Sequence, residues 1–321
     1  MLAGLRSALI IMLFIVGGGA VVLTVAAFFG DRWWLFDYAA NFRWHLFWLL
    51  IIAAILYTLV SRGLASIVFL GAALVNAWLI APLWLTDQPA AIGREGVTIV
   101  HADIHPGVND LDFALRWIFD TEADLIFVAG TTAERMGPLA EHGSPYSIIA
   151  APENPHQAGI VILGTSPWTV ESFTTDHFGE VVYRITVGSN DEAVDVVTAW
   201  GDLGSNSLDA DKLAARLATV AEAVASASRP VAVIGNLGAT RWTNDMRIMQ
   251  ATLGLRDATE GFGYLATSPV SGVPIIGGWI GIPIDIVLMT EEIMPLELTT
   301  GPDIGADHLP VTVVIGPEFQ N

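Results

Sequence analysis

The chain of 321 residues has no cysteine, so disulfides and thiolate chemistry are excluded, and the lack is compatible with either side of a membrane. Basic side chains are scarce, 14 Lys and Arg against 33 Asp and Glu, for a formal net charge of −19. A field of that sign repels phosphate backbones and argues against nucleic acid as a partner unless a metal or a local basic patch intervenes. A solvated acidic surface is the plain alternative. Charge of either sign is nearly missing from the first 85 residues, which hold four basic and two acidic side chains, whereas the rest holds ten and thirty-one. Internal repeats and low-complexity tracts are absent too. The chain therefore divides into an apolar region 1–85, a connector 86–96 carrying Pro89 and Gly93, and an acidic region 97–321.

What is present in the first region is three apolar runs, 7–30, 44–60 and 67–85. Each approaches the roughly 20 residues needed to cross a hydrocarbon core, so a three-helix transmembrane anchor in the lipid bilayer is expected. The first run is too long for the apolar part of a signal peptide and reads as a retained helix. Trp33, Trp34, Trp44, Trp48, Trp78 and Trp84 lie near the ends of the runs, where indole rings favour the water–lipid boundary. Arg6 and Arg62 balance Arg32 and Arg43, so the positive-inside count is tied, while an odd number of spans places the N-terminus and the acidic region on opposite faces. Gly17, Gly18 and Gly19, with Gly71, Ala72 and Ala73, leave backbone surfaces for another helix, within the bundle or from a separate integral membrane protein. Asn76 is expected to bond a neighbouring helix, and His45 to be interfacial.

In the acidic region, apolar β-branched runs bounded by Gly, Pro, Asn and Asp predict strands at 97–103, 125–129, 146–150, 159–163, 181–187, 193–198, 231–234, 283–289 and 311–315. Helical spacing predicts helices over 109–120, 209–227 and 244–253, with Asp209 as a cap. A Gly-rich stretch, 261–281, reads as irregular. Many strands with few helices between them imply an α/β domain of two packed sheets with helices outside, a four-layer α/β/β/α sandwich.

Two stretches point to a site. The run Val231 to Ile234 stops at Gly235-Asn236-Leu237-Gly238, which delivers a polar residue to a sheet edge, and Asp307-His308-Leu309-Pro310 precedes the last strand. The first resembles the Gly-Asp-Phe-Asn-Ala motif, and the second the Ser-Asp-His-Arg-Pro motif, of the endonuclease/exonuclease/phosphatase (deoxyribonuclease-I-like) superfamily. The segment Ile284-Asp285-Ile286 is similar to that family's Ile-Asp-His. The resemblance spans about 97–315 and implies the sandwich fold, a magnesium or manganese ion, and a His, oriented by the neighbouring Asp, that contacts the scissile phosphate. Asp285, Asp307 and His308 match the family pattern. Elsewhere Asp103 stands where the family has a metal-site Asn, Gly130 where it has the principal metal-ligating Glu, and Trp200 where it has a phosphate-contacting His; Asn236 and Gly238 replace its catalytic Asp and phosphate-site Asn. A hard dication is held by carboxylates and water, which a glycine cannot supply, and groups that act together fail together.

These departures lead to the expectation of no catalytic residue, cofactor or metal of the family type, and of a pseudoenzyme serving as an accessory or scaffold subunit of a membrane complex. The resemblance places it in a bacterial cytoplasmic membrane with the domain on the periplasmic or outer face. The alternative is a magnesium- or manganese-dependent phosphoesterase acting on a lipid-linked or envelope phosphate, its site rebuilt from Asp103, His105, Asp285, Asp307 and His308. His101 and His105, at i and i+4 on a strand, share a face but lie too far apart to chelate alone.

Overall fold

The computed structural model describes residues 2–317 except 62, 88–95, 105–110, 141–144, 176, 189–192, 205 and 269–279. The connector and His105 thus fall largely or wholly outside the described residues.

The N-terminal helices are α1 (Leu2–Ala26), α2 (Trp34–Ala40), α3 (Arg43–Val60), α4 (Ala65–Ile80) and α5 (Pro82–Leu85). Among the described residues two helices rather than three are long and apolar enough to cross a membrane, Gly4–Ala26 and Arg43–Val60. The third expected span is divided, because α4 has only 16 residues and Pro82 opens α5. Proline lacks the N–H that would continue α4, and 16 residues rise only about 24 Å. The argument from an odd number of spans loses its footing with it. Leu13 and Ala20 of α1, Leu46, Leu50 and Ala53 of α3, and Phe69 and Ala73 of α4 form one buried cluster, with large apolar side chains such as Ile15, Ile52 and Leu59 exposed outside it. Gly17 is used inside the bundle, since a Cβ there would lie 2.5 Å from the Phe69 ring, whereas Gly18, Gly19 and Gly71 face open space.

Arg43, the first residue of α3, is 2 % exposed, donating to the Thr24 carbonyl at 2.9 Å and to Asn76 Oδ1 at 3.4 Å. Asn76 Nδ2 donates to Thr24 Oγ1 at 2.9 Å, which ties three helices together as the sequence leads one to expect.

The remaining elements are β1 (Val97–Asp103), α6 (Leu111–Asp120), β2 (Leu125–Thr131), α7 (Ala133–Ala140), β3 (Ser147–Ala150), β4 (Gly159–Gly164), β5 (Thr169–Thr174), β6 (Val181–Val187), β7 (Val194–Thr198), α8 (Ser207–Ala225), β8 (Val231–Asn236), α9 (Asn244–Leu253), β9 (Arg256–Asp257), β10 (Asp285–Met289), β11 (Ile293–Thr300) and β12 (Val311–Pro317). They build two six-stranded sheets, ordered β11-β12-β1-β2-β4-β3 and β5-β6-β7-β8-β10-β9. Alternation along each strand decides the layers. Ile99, Leu125, Phe127, Ala232, Ile234, Val287 and Met289 meet between the sheets. The intervening residues face outward, Val100, Ala102, Ile126 and Val128 under α6 and α7, and Val231, Val233, Ile286 and Leu288 under α8 and α9. The α8 cap is Asn206, whose side chain accepts from the backbone of Leu208 and Asp209, so the expected cap at Asp209 lies three residues inside.

The helical region is docked on one end of the sandwich. Asp37 Oδ1 accepts from Asn244 N–H at 2.5 Å, capping α9 from another part of the chain, and Asn41 Oδ1 accepts from Thr240 N–H at 2.8 Å. The Trp242 indole donates to the Leu79 carbonyl at 3.2 Å, and Tyr264 stacks on Trp44 with ring centroids 4.6 Å apart. His45 Nε2 lies 2.9 Å from the Ile280 carbonyl, so it is a contact to the domain. The loop after β8, which carries Thr240 and Trp242, runs from Asn236 into this interface.

Candidate functional site

The site is assembled from the inter-sheet face of three strands and the loop before β12. His101 and Asp103 follow Ile99 in the alternation of β1, and Asn236 follows Ile234 on β8; in the register of the second sheet Asn236 is paired with Asp285 of β10. All are interior: His101, Asp103, Asn236 and Asp285 are at most 5 % exposed. Polar groups taken from water at this depth have to answer one another.

They do so in two linked sets. Asp285 accepts from both imidazoles, at 2.6 Å from His308 Nδ1 and 3.1 Å from His101 Nε2. Asp103 Oδ2 accepts from the Trp200 indole at 2.7 Å and from Asn236 Nδ2 at 3.1 Å. Asn236 Oδ1 in turn takes the Gly238 N–H at 2.9 Å. Ligand atoms of Asp103, Asp285 and His308 all lie within 4.8 Å of one another. Burial opposes ionisation of Asp285, but the His308 charge and the two imidazole hydrogen bonds outweigh it and hold its carboxyl well below the usual range. Burial likewise opposes charge on His308; the adjacent Asp285, helped by Asp103 and Asp307, overrides it and raises the imidazole to about 9.

Four of the residues singled out in the sequence, Asp103, Asn236, Asp285 and His308, are therefore together, with Trp200 at their edge. Asp307 is not among them: it is exposed in the loop before β12, and the carboxylate that orients His308 is Asp285, 23 residues earlier. Adjacent residues in a loop point different ways, so sequence adjacency indicates the wrong partner. His101 is a member of the cluster that the sequence reading misses, although it precedes Asp103 by two and shares its face.

Two glycines have local reasons to be glycine. Gly130 has φ +69° and sits at an irregularity in the β2–β4 register between Val128 and Thr131, a β-bulge whose left-handed residue a side chain would strain. Gly238 has φ +78°, and a Cβ on it would fall 2.4 Å from the Asp202 carbonyl and 3.1 Å from Arg216 Nη1. The Arg216 guanidinium passes close to Gly201 and Gly238 to donate to the Leu237 carbonyl at 2.9 Å and to both carboxylate oxygens of Glu180.

The donor set does not fit the hard dication that the resemblance implies. Magnesium takes a near-octahedral shell of oxygens, whereas the cluster offers two imidazoles beside two carboxylates that already accept hydrogen bonds. A cavity of ≈390 Å³ lies beside the cluster, lined by Tyr183, Trp200, Gly201, Lys212 and Arg216 among others. Trp200 borders it, but Asp103, Asp285 and His308 are absent from its described lining.

No protein-family model and no curated protein sequence matches the chain. Solved structures do. An endonuclease/exonuclease/phosphatase from Beutenbergia cavernae superposes with a TM-score of 0.52 at 15% identity, covering 70% of this chain and 72% of that one. A 3′ phosphatase from Neisseria bound to product DNA hairpin gives 0.52 at 14%, covering 70% and 100%. An AP endonuclease from Archaeoglobus fulgidus gives 0.52 at 13%, covering 68% and 98%. The region of two packed sheets thus has the fold of the endonuclease/exonuclease/phosphatase superfamily. At these identities the likeness is one of fold.

Proposed function

We propose that this chain is a membrane-anchored protein of that fold whose domain does no hydrolysis and serves as an accessory or scaffold subunit for another integral membrane protein. The observation that carries the reading is the closure of the cluster. Asp285 is engaged by two imidazoles and Asp103 by an indole and an amide, and Trp200 borders the neighbouring cavity; the resemblance would further put the bulge residue Gly130 where the family has its metal-ligating glutamate. A phosphoesterase of the family type needs an oxygen shell for a hard dication and access for a phosphate, whereas among the described residues the cluster mixes imidazoles with its carboxylates and does not line the neighbouring cavity. Anchoring is supported by the exposed apolar faces of α1 and α3, whose lengths match a bilayer. The interface through Asp37, Asn41, Trp242 and Tyr264 makes anchor and domain a single unit, as a scaffold requires. In this reading the domain lies on the outer face of a bacterial cytoplasmic membrane, which reporters fused at residues 1 and 321 test directly.

The test of the reading is hydrolysis. Full-length protein in mild detergent, with magnesium or manganese, is expected to release no more product from phosphomonoesters and phosphodiesters than an Asp103→Asn, His308→Gln control. Turnover by the unmodified chain that the double substitution abolishes overturns the reading and favours a phosphoesterase acting on a lipid-linked or envelope phosphate. Co-purification of a defined membrane protein, lost when the exposed face of α1 is altered, identifies the partner.

A further inference from the structure

We infer that the Asp103–Asp285–His308 cluster, completed by His101, is a site for a borderline divalent transition ion, with Zn²⁺ the best match, held as a closed structural centre between the two sheets.

The first argument is chemical. Two carboxylates and two imidazoles form the mixed oxygen and nitrogen donor set that zinc takes in four-coordinate sites, and it is the reverse of the all-oxygen shell that magnesium demands. The geometry is compatible. Zinc bonds of about 2.0–2.2 Å place tetrahedral ligand atoms roughly 3.3–3.5 Å apart. The ligand atoms of Asp103, Asp285 and His308 already fall within 4.8 Å of one another, while His101, whose Nε2 is 3.1 Å from Asp285 Oδ1, lies outside that group and has to move inward to serve as the fourth ligand.

The second argument is electrostatic. Two carboxylates bring a charge of −2 into an interior where Asp103 and Asp285 are 2 % and 5 % exposed. A dication with two neutral imidazoles leaves that interior at zero, and uncompensated buried charge is strongly disfavoured. The third argument is the surroundings. Trp200 and Asn236 hydrogen-bond to Asp103 from outside the cluster, which is how a ligating carboxylate is usually fixed in orientation.

The inference goes beyond the non-catalytic reading and can fail separately from it. The full chain is purified in mild detergent without chelator from cells supplied with zinc, and its metal content is measured by mass spectrometry. About one zinc per chain is expected, falling at least tenfold in Asp103→Asn and in His308→Gln, with the cobalt-substituted protein showing the intense visible bands of a four-coordinate centre. Less than a tenth of an equivalent in the unmodified chain, or cobalt bands of a six-coordinate ion, overturns the inference. So does full zinc content in both variants. The unmodified chain decides the matter even if a variant does not fold. Zinc without hydrolysis upholds both readings; zinc with hydrolysis upholds this one and removes the other.

Discussion

Two buried polar groupings, one in each region, solve the same problem differently. In the helices, Arg43 and Asn76 are answered largely by nearby backbone and hydroxyl groups, the Thr24 carbonyl, Thr24 Oγ1 and the Ala72 carbonyl. Between the sheets, Asp103, Asp285, His101, His308 and Asn236 are answered by one another, from segments far apart in sequence. The first grouping can lose a member and keep most of its bonds, because backbone partners remain. The second is a closed set in which each removal strands a partner. Packing alone explains the helical grouping, whereas the concentration of ionisable groups in the sandwich points to a site.

The comparison is broken most directly at Asp285. Asp285→Ala removes the acceptor of both imidazoles and is expected to cost about 3–5 kcal/mol, the scale for leaving a buried charge without its partner. Thermal unfolding of the full chain in detergent measures it. With chelator added throughout, bound metal does not enter. A loss below about 1 kcal/mol means that the groups do not depend on one another. Arg43→Met tests the other side. The Met side chain fills much of the volume, and the 2.9 Å bond between Asn76 and Thr24 is kept, so the expected cost is about 1–2 kcal/mol. If Arg43→Met costs as much as Asp285→Ala, the contrast between the regions disappears.

How much of this is legible in the sequence follows the same division. The central strands announce themselves because both their faces are buried: β2, β8 and β10 are buried throughout and read as continuous apolar runs. Strand β5 escapes because it is largely exposed, and Thr-Val-Glu-Ser-Phe-Thr has no apolar run. Strand β11 escapes because Pro295 and the register shift after it break the pattern. Helix α2 looks like an aromatic belt between two spans, and its role depends on Asp37 and Asn41 meeting a loop some 200 residues away, which no local signal reveals. At the site, the Gly-Asn-Leu-Gly stop locates Asn236, and Asp285 follows from its strand. The pairing of Asp285 with His308 stays hidden because it is set by the register of β10 rather than by sequence neighbours. His101 is readable in principle, by the two-residue step to Asp103, but the i and i+4 spacing draws attention to His105 instead.

The smallest expected effect sharpens the comparison at the junction of the two regions. Asp37 caps α9 from α2, so its carboxylate favours the helix N-terminus, yet it is nearly buried beside Asp245. Burial pushes the Asp37 carboxyl up to about 6 from the ordinary 3.8, against the opposing pull of the Asn244 N–H. A group that holds its proton more tightly when folded makes its full contribution below about pH 4, and that contribution is lost as the pH rises through 6. The displacement corresponds to an energy on the order of 2–3 kcal/mol. An asparagine side chain in its place would keep an oxygen to accept from Asn244 N–H and would carry no charge to bury. Asp37→Asn is therefore expected to match the unmodified chain near pH 4 and to exceed it by about 1–2 kcal/mol at about pH 8, measured as the difference between two thermal unfolding series, in which titrations common to both chains cancel. An advantage of equal size at both pH values assigns the effect to packing. A disadvantage that grows with pH means that attraction between the Asp37 carboxylate and the α9 terminus outweighs its burial, and the junction is then held by charge, as the inter-sheet cluster is.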